Sequence, residues 1–294
     1  MSRPIIDAHL HLWELDDADT AAGGGDAPKA YAWLGPQHGI LHRSHGAREA
    51  HDALAGGGVE NAVLVQADDT AADTAAMLAV AQESPWVLGV VGWIRLDDPT
   101  GARAALDLPG AETKFKGIRH LVHDDPRPDF LELPAVRESL EAVAASGLAF
   151  DVPDAFPGHL DQTVQLARDL DSLTVVLDHL GKPPRSDEQA MPSWQRDFRA
   201  LAELPRTVAK ISGLFIPGLP YTADALRQVW DEALEAFGPE RLMFGGDWPI
   251  SRLGGSYGET AGPLFELIST LSDSEQEAVL HGTAARVYQL GDDH

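Results

Sequence analysis

The 294-residue chain carries 22 Lys and Arg against 46 Asp and Glu, a formal charge of -24, with 12 His and no Cys. So negative a field argues against nucleic acid as a partner, and the lack of thiols excludes disulfides and cysteine chemistry. No apolar run approaches the roughly 18 residues that a membrane span needs, and residues 1–4 lead into an apolar run with no leader-like pattern. The expectation is a cytoplasmic protein with no membrane partner.

Short apolar, β-branched runs that begin after Gly, Pro or polar breaks predict strands at 5–10, 61–66, 87–94, 116–122, 148–152, 173–179, 207–212 and 241–247. Helical patterns separate most of them: AADTAAMLAVAQES after the second, PAVRESLEAVAAS after the fourth, and TADALRQVWDEALEAFG after the seventh, ending on a glycine stop signal at Gly238. Strand and helix alternating in this way predict an α/β fold, a single (β/α)8 TIM-type barrel over 1–294 as one domain. Two stretches depart from the repeat. Residues 14–60 are too long for a plain connection; they hold AAGGGDAP, the aromatic YAWL, and His38, His42, His45 and His51. Residues 181–194, GKPPRSDEQAMPSW, form a Pro-rich loop after the sixth strand. Insertions after barrel strands commonly build or cover an active site.

In such a barrel the carboxyl ends of the strands carry the chemistry. Here those ends hold His9 and His11, Gln66, Trp93, Arg119 and His120, Asp151, His179, Lys210 and Ser212, and Asp247. An His-x-His pair is a weak signal in a chain so rich in histidine. On a strand, however, residues i and i+2 project to one side, so His9 and His11 would converge. Charged and imidazole groups at most strand ends are poor core filling, because a buried charge is costly unless paired or functional.

Read end to end, IIDAHLHLWE, YAWLG, NAVLVQA, VLGVVGWIRL, KGIRHLVHDDPRPDFL, VVLDHLGKPP, VAKISGLF, FGPERLMFGGDWPIS and TAARVYQL resemble, in order, the amidohydrolase superfamily. More narrowly they resemble its sugar-acid lactonase branch, with L-fuconolactonases, L-rhamnonolactonases and 4-sulfomuconolactone hydrolases. The resemblance implies His9 and His11 at the end of strand one, His179 at strand six and Asp247 at strand eight, around one divalent ion such as Zn or Mn. Some members of the branch use a metal and others do not. The bridging lysine or carboxylate of two-metal relatives has no counterpart, since Lys116 begins its strand at the wrong end.

Opening a lactone, a cyclic ester, needs an activated water, a polarised carbonyl and a proton for the departing alkoxide. Asp247 can act as base and then as acid, or can simply form an Asx turn before Pro249. His9, His11 and His179 with Asp247 make the N3O set of a mononuclear Zn-type site. Without metal, the same imidazoles would donate hydrogen bonds to the carbonyl oxygen. Arg119 and His120 are both catalytic candidates, and alternation lets only one of them face the barrel. Lys210 is either a substrate ligand or an ion-pair partner; Asp151 either orients a ligand histidine or caps a loop. Trp13, Trp33, Trp93 and Trp248, with Gln66 and Tyr31, are candidates for holding the ring of a small-molecule lactone. His281 is expected to be structural. The competing expectations are a metal-dependent decarboxylase and a catalytically silent binding barrel. Periodicity carries no information on oligomeric state or on which lactone is used.

Overall fold

The computed structural model describes residues 4–15, 30–107 and 114–291; the AAGGGDAP stretch lies outside these. Eight parallel strands stand in one sheet in chain order: β1 (Ile6–Leu10), β2 (Asn61–Val65), β3 (Val87–Gly92), β4 (Phe115–Arg119), β5 (Ala149–Val152), β6 (Thr174–Leu177), β7 (Thr207–Ile211) and β8 (Leu242–Phe244). The barrel closes just past β8. His11 N donates to Trp248 O (2.7 Å), Asp247 N to His9 O (2.8 Å), and Gly246 N to the carboxylate of Asp7 (2.8 Å). Tyr257 Oη also donates to Asp7, at 2.8 Å. Gly245 permits the close approach at this seam, since a Cβ there would lie 2.7 Å from that of His9.

All eight expected strands are present, but several are shorter than expected. Those at 116–122 and 241–247 end at Arg119 and Phe244. The backbone leaves extended geometry there to aim side chains across the barrel mouth. Helices on the outside include α1 (Ala47–Gly56), α2 (Ala71–Glu83), α3 (Pro99–Leu106), α4 (Pro134–Ala145), α5 (Leu160–Asp169), α6 (Met191–Ala202), α7 (Ala223–Phe237) and α8 (Tyr257–Ile268). Thr70, Asp98, Thr222 and Ser256 cap their first turns with side-chain oxygens. Inside the barrel, Ile6, Ala8, Val63, Val65, Val91, Ala149, Val176, Val208 and Met243 pack with Val287, Tyr288 and Leu290 of the C-terminal segment. The TAARVYQL motif thus forms the floor of the barrel. Lys116 lies at this lower end, donating to Gln289 O, and His281 faces Pro4 O.

The described part of the insertion folds over the upper end. Trp13 and His45 pair their backbones, and Trp13 Nε1 donates to Arg43 O. Trp13, Tyr31, Leu34, Leu41 and Ala67 bury a small apolar cluster. Tyr31 Oη donates to Asp73 Oδ1 at the start of α2 (2.8 Å), while Trp33 Nε1 donates to Ala67 O (2.7 Å). Burial pushes the Asp73 carboxyl up to about 6, against the hydrogen bonds from Tyr31 and Ala67. A carboxyl raised on folding stabilises the fold fully below its unfolded value near pH 4, and that contribution is lost as pH rises through 6. Tyr31→Phe would leave the ionised carboxylate short of a donor, costing about 1–3 kcal/mol. Its melting temperature should therefore drop more at pH 8 than at pH 5; an equal drop at both would remove the carboxylate from this account.

Candidate active site

Each central side chain reaches the barrel mouth through a break in regular strand geometry. On β1 the inward residues are Ile6 and Ala8, yet Leu10 and Leu12 pack outward among the helices. The register slips between Asp7 and Leu10, a bulge that turns His9 and His11 inward together. On β6 the inward parity of Val176 continues to Asp178, and the next residue, His179, joins it by adopting φ 55°. Asp247 takes φ 54° beyond β8. Gly213, after β7, lies against the His179 ring; a Cβ there would fall 2.3 Å from Nδ1.

His9 Nε2 and His11 Nε2 stand 3.1 Å apart. Asp247 Oδ1 is 3.5 Å from the latter and 3.8 Å from the former. One ligand atom each of His9, His179 and Asp247 falls within 4.8 Å of the others, all buried. His11 Nδ1 faces Val65 O at 2.8 Å. A carbonyl only accepts, so that nitrogen carries the proton and His11 Nε2 presents a lone pair to the cluster. His179 Nδ1 is engaged by Ser212 Oγ at 2.9 Å, an outer contact of the kind that orients a metal-binding imidazole. Burial holds His9 down to about 3, and pushes His179 well below the ordinary histidine value, so both rings are neutral at pH 7. Burial alone would raise the Asp247 carboxyl; the imidazoles around it, His179 first and then His11 and His9, outweigh that and hold it low. Ligand atoms around one tetrahedral zinc lie about 3.3 Å apart, from bond lengths near 2.0–2.1 Å. Neutral imidazoles and an ionised carboxylate at these separations fit one divalent ion.

A second layer of charge lies beneath. Lys210 is fully buried; its Nζ is 3.2 Å from His9 Nδ1 and 3.0 Å from Asp178 Oδ1, and it donates to Asp151. Arg119 Nε donates to Asp178 Oδ2 (2.8 Å) and its Nη1 to Gln66 O (3.1 Å). Tyr288 Oη completes the set on Asp151 at 2.7 Å. Burial would raise Asp178, but Lys210, His9 and Arg119 reverse that and hold it well below the carboxylate range. An ammonium in contact with His9 leaves no place there for a second cation, in keeping with a single-ion site.

Above the cluster is a cavity of roughly 160 Å³ whose wall includes His11, Trp13, Trp33, Arg119, His179 and Asp247. Arg119, sharing the inward parity of Gly117, is thus the member of the Arg119/His120 pair that faces the site. His120 is turned away: it stacks on Phe130 at 4.1 Å, accepts from Trp93 Nε1 and meets Asp125 at 3.1 Å. Several expected substrate contacts are likewise elsewhere. Lys210 and Gln66 are buried in bonds to protein groups, Gln66 through Asp69 and Arg119 O. Trp93 is held by His120, and Trp248 is core, edge-on to His45 at 5.4 Å. Strand-end counting places these residues at the correct level of the barrel, but not on the cavity wall. Asp151 caps no loop; it pairs with Lys210. Cavity residues not anticipated are His123, Asp124, Asp154 and Lys182. His123 and Asp124 lie in LVHDDP, Lys182 in HLGKPP and Asp154 in DVPDAF, all beyond the strand ends in loops whose course periodicity cannot give.

A sequence model of the amidohydrolase family matches residues 6–290. An L-fucono-1,5-lactonase from Burkholderia multivorans is 34% identical over 300 residues, covering 97% of this chain and 96% of that protein. Another from Burkholderia ambifaria is 33% identical over 256 residues, 86% of this chain and 83% of that one. The crystal structure of an amidohydrolase from Burkholderia multivorans with bound zinc superposes with a TM-score of 0.85 at 31% identity, covering 98% of this chain and 100% of that one. With a match spanning nearly all of the barrel and a relative 34% identical along almost its whole length, the chain belongs to the amidohydrolase family.

Proposed function

We propose that this protein is a metal-assisted hydrolase that opens a lactone of a sugar acid, with residues 1–294 acting as one catalytic unit in the cytoplasm. The observation that carries the reading is the buried His9, His179 and Asp247 group opening onto a small cavity walled by Trp13 and Trp33. The similarity to L-fucono-1,5-lactonases supports the substrate class.

His9, His11, His179 and Asp247 would hold the ion. When bound, it supplies Lewis acidity at the carbonyl and a strong local positive charge. Asp247 does the proton work. Its Oδ1 faces His9 and His11, and Oδ2 has no hydrogen-bond partner among the described residues, so one oxygen is free to take a proton from a water in the cavity. The water oxygen bonds to the carbonyl carbon while Asp247 takes its proton. The developing oxyanion lies near Arg119, whose Nη2 makes no hydrogen bond among the described residues. The ring C–O bond then breaks, Asp247 returns the proton to the departing oxygen, and a hydroxy carboxylic acid is released. Trp33, half-buried and edge-on to Trp13 at 5.6 Å, offers an apolar face to the sugar ring.

The test is a pH-indicator assay over a panel of aldonolactones, with bound metal quantified and the assay repeated after chelation. We expect acid release that is lost on chelation and restored by Zn or Mn. Acid release that survives complete metal removal would overturn the metal's part, leaving the imidazoles as hydrogen-bond donors. Silence across the panel would overturn the lactonase reading.

A further inference from the structure

Among the cavity-wall residues that the mechanism above leaves unused, Asp154 and Lys182 stand on unusual backbone. Asp154 follows β5 with φ 43°. Lys182 (φ 59°) ends an unbroken left-handed run with His179, Leu180 (53°) and Gly181 (70°), closed by Lys182 N donating to His179 O at 2.9 Å. A turn of three residues brings positions i and i+3 into line, so Lys182 is stacked over His179 on the side of the cavity. Left-handed geometry is disfavoured for each non-glycine L-residue. Here it is imposed by the surroundings: Leu180 is fully buried with its carbonyl accepting from Trp194 Nε1 (2.9 Å), and Gly181 O accepts from Phe156 N (3.0 Å). Strain fixed in this way at a cavity is a mark of function.

Lys182 Nζ donates to Gly213 O at 3.1 Å, and it lies 3.6 Å from Asp154 Oδ1, beyond hydrogen-bond range. An ammonium with spare protons and a carboxylate therefore stand side by side as an ion pair on the cavity wall. A hydroxyl group, which accepts and donates at once, satisfies both; an anionic substituent would meet the charge of Asp154. Asp154 Oδ1 is also 4.0 Å from His179 Nε2. A substituent that bridges this pair from the cavity side is thus close to the ligand cluster, where the carbonyl must sit.

We propose that Asp154 and Lys182 form a clamp for the hydroxyl on the carbon next to the lactone carbonyl, which makes the enzyme selective for 2-hydroxy lactones. The proposal rests on the lactonase reading. The test compares kcat/KM for 2-hydroxy-γ-butyrolactone and γ-butyrolactone, which differ only in that hydroxyl. A hydrogen bond to a charged group corresponds to about 10- to 150-fold, and we expect a preference of that order in the wild type. Asp154→Ala and Lys182→Met should each bring the ratio to within about threefold of unity. Asp154→Asn, which keeps an acceptor oxygen, should retain part of the preference. A variant that is merely damaged slows both lactones alike and leaves the ratio where it was, so an unchanged ratio in Asp154→Ala and Lys182→Met overturns the clamp. Equal wild-type rates on the two lactones also overturn it. Failure of the wild type on these two and on every aldonolactone overturns the lactonase reading, and the clamp with it.

Discussion

Replacing Asp247 by Asn is expected to lower kcat by at least about 10²–10⁴, the usual contribution of a positioned acid or base, while the protein keeps its melting temperature. Asn is the nearest neutral isostere and is among the residues that tolerate positive φ, so the φ 54° backbone and its bond from Asp247 N to His9 O can persist. What is lost is the ability to take a proton from water and hand it to the departing ring oxygen. Asn is also a poorer ligand than a carboxylate, so bound metal should be measured in the same preparation. Reduced turnover at full metal occupancy isolates the proton role. Retention of more than about a tenth of wild-type kcat would be incompatible with Asp247 as the acid and base.

The second large effect is on stability, at a residue that does not line the cavity. Lys210 sits between Asp151 and Asp178, all three fully buried. Lys210→Met preserves much of the side-chain volume but removes the cation, leaving one carboxylate with only Tyr288 and the other with Arg119 and His9. Breaking a buried pair from one side costs about 3–5 kcal/mol. Burial already pushes Asp151 up to about 6, despite the opposing charge of Lys210. Without Lys210 its carboxyl rises further, so the penalty should be smaller at pH 5, where protonation relieves it, than at pH 8. Denaturant titrations at the two pH values check this. A loss below about 1 kcal/mol at pH 8 would show that the buried Asp151, Lys210 and Asp178 group is no stability element.

How far the site was legible depended on the kind of residue. The apolar, β-branched runs set eight strands in order, because a strand buried on both faces needs little else to declare itself. Chain order in a parallel barrel also puts the strand ends on one rim, so His9, His11, His179 and Asp247 could be assigned to one place. Alternation could not go further. It leaves Arg119 and His120 as equals, and only the inward parity of Gly117 and the network on Asp178 and Gln66 O separates them. Gln66, Trp93, Trp248 and Lys210 are polar or aromatic at the right height, and a sequence does not show whether such a group meets ligand or protein.

By itself, then, the amino-acid order determined the barrel, since the strand pattern follows from residue type, and the family resemblance put His9, His11, His179 and Asp247 forward as candidates for holding one divalent ion. Tertiary structure decided where those side chains point. The β1 bulge turns His9 and His11 inward, a left-handed run carries His179 and Lys182, and positive φ aims Asp247. None of these belongs to a period of two. Each is a local departure held in place by packing and hydrogen bonds from residues distant in the chain, such as Trp194 on Leu180, and that is why it becomes visible only once the barrel has closed.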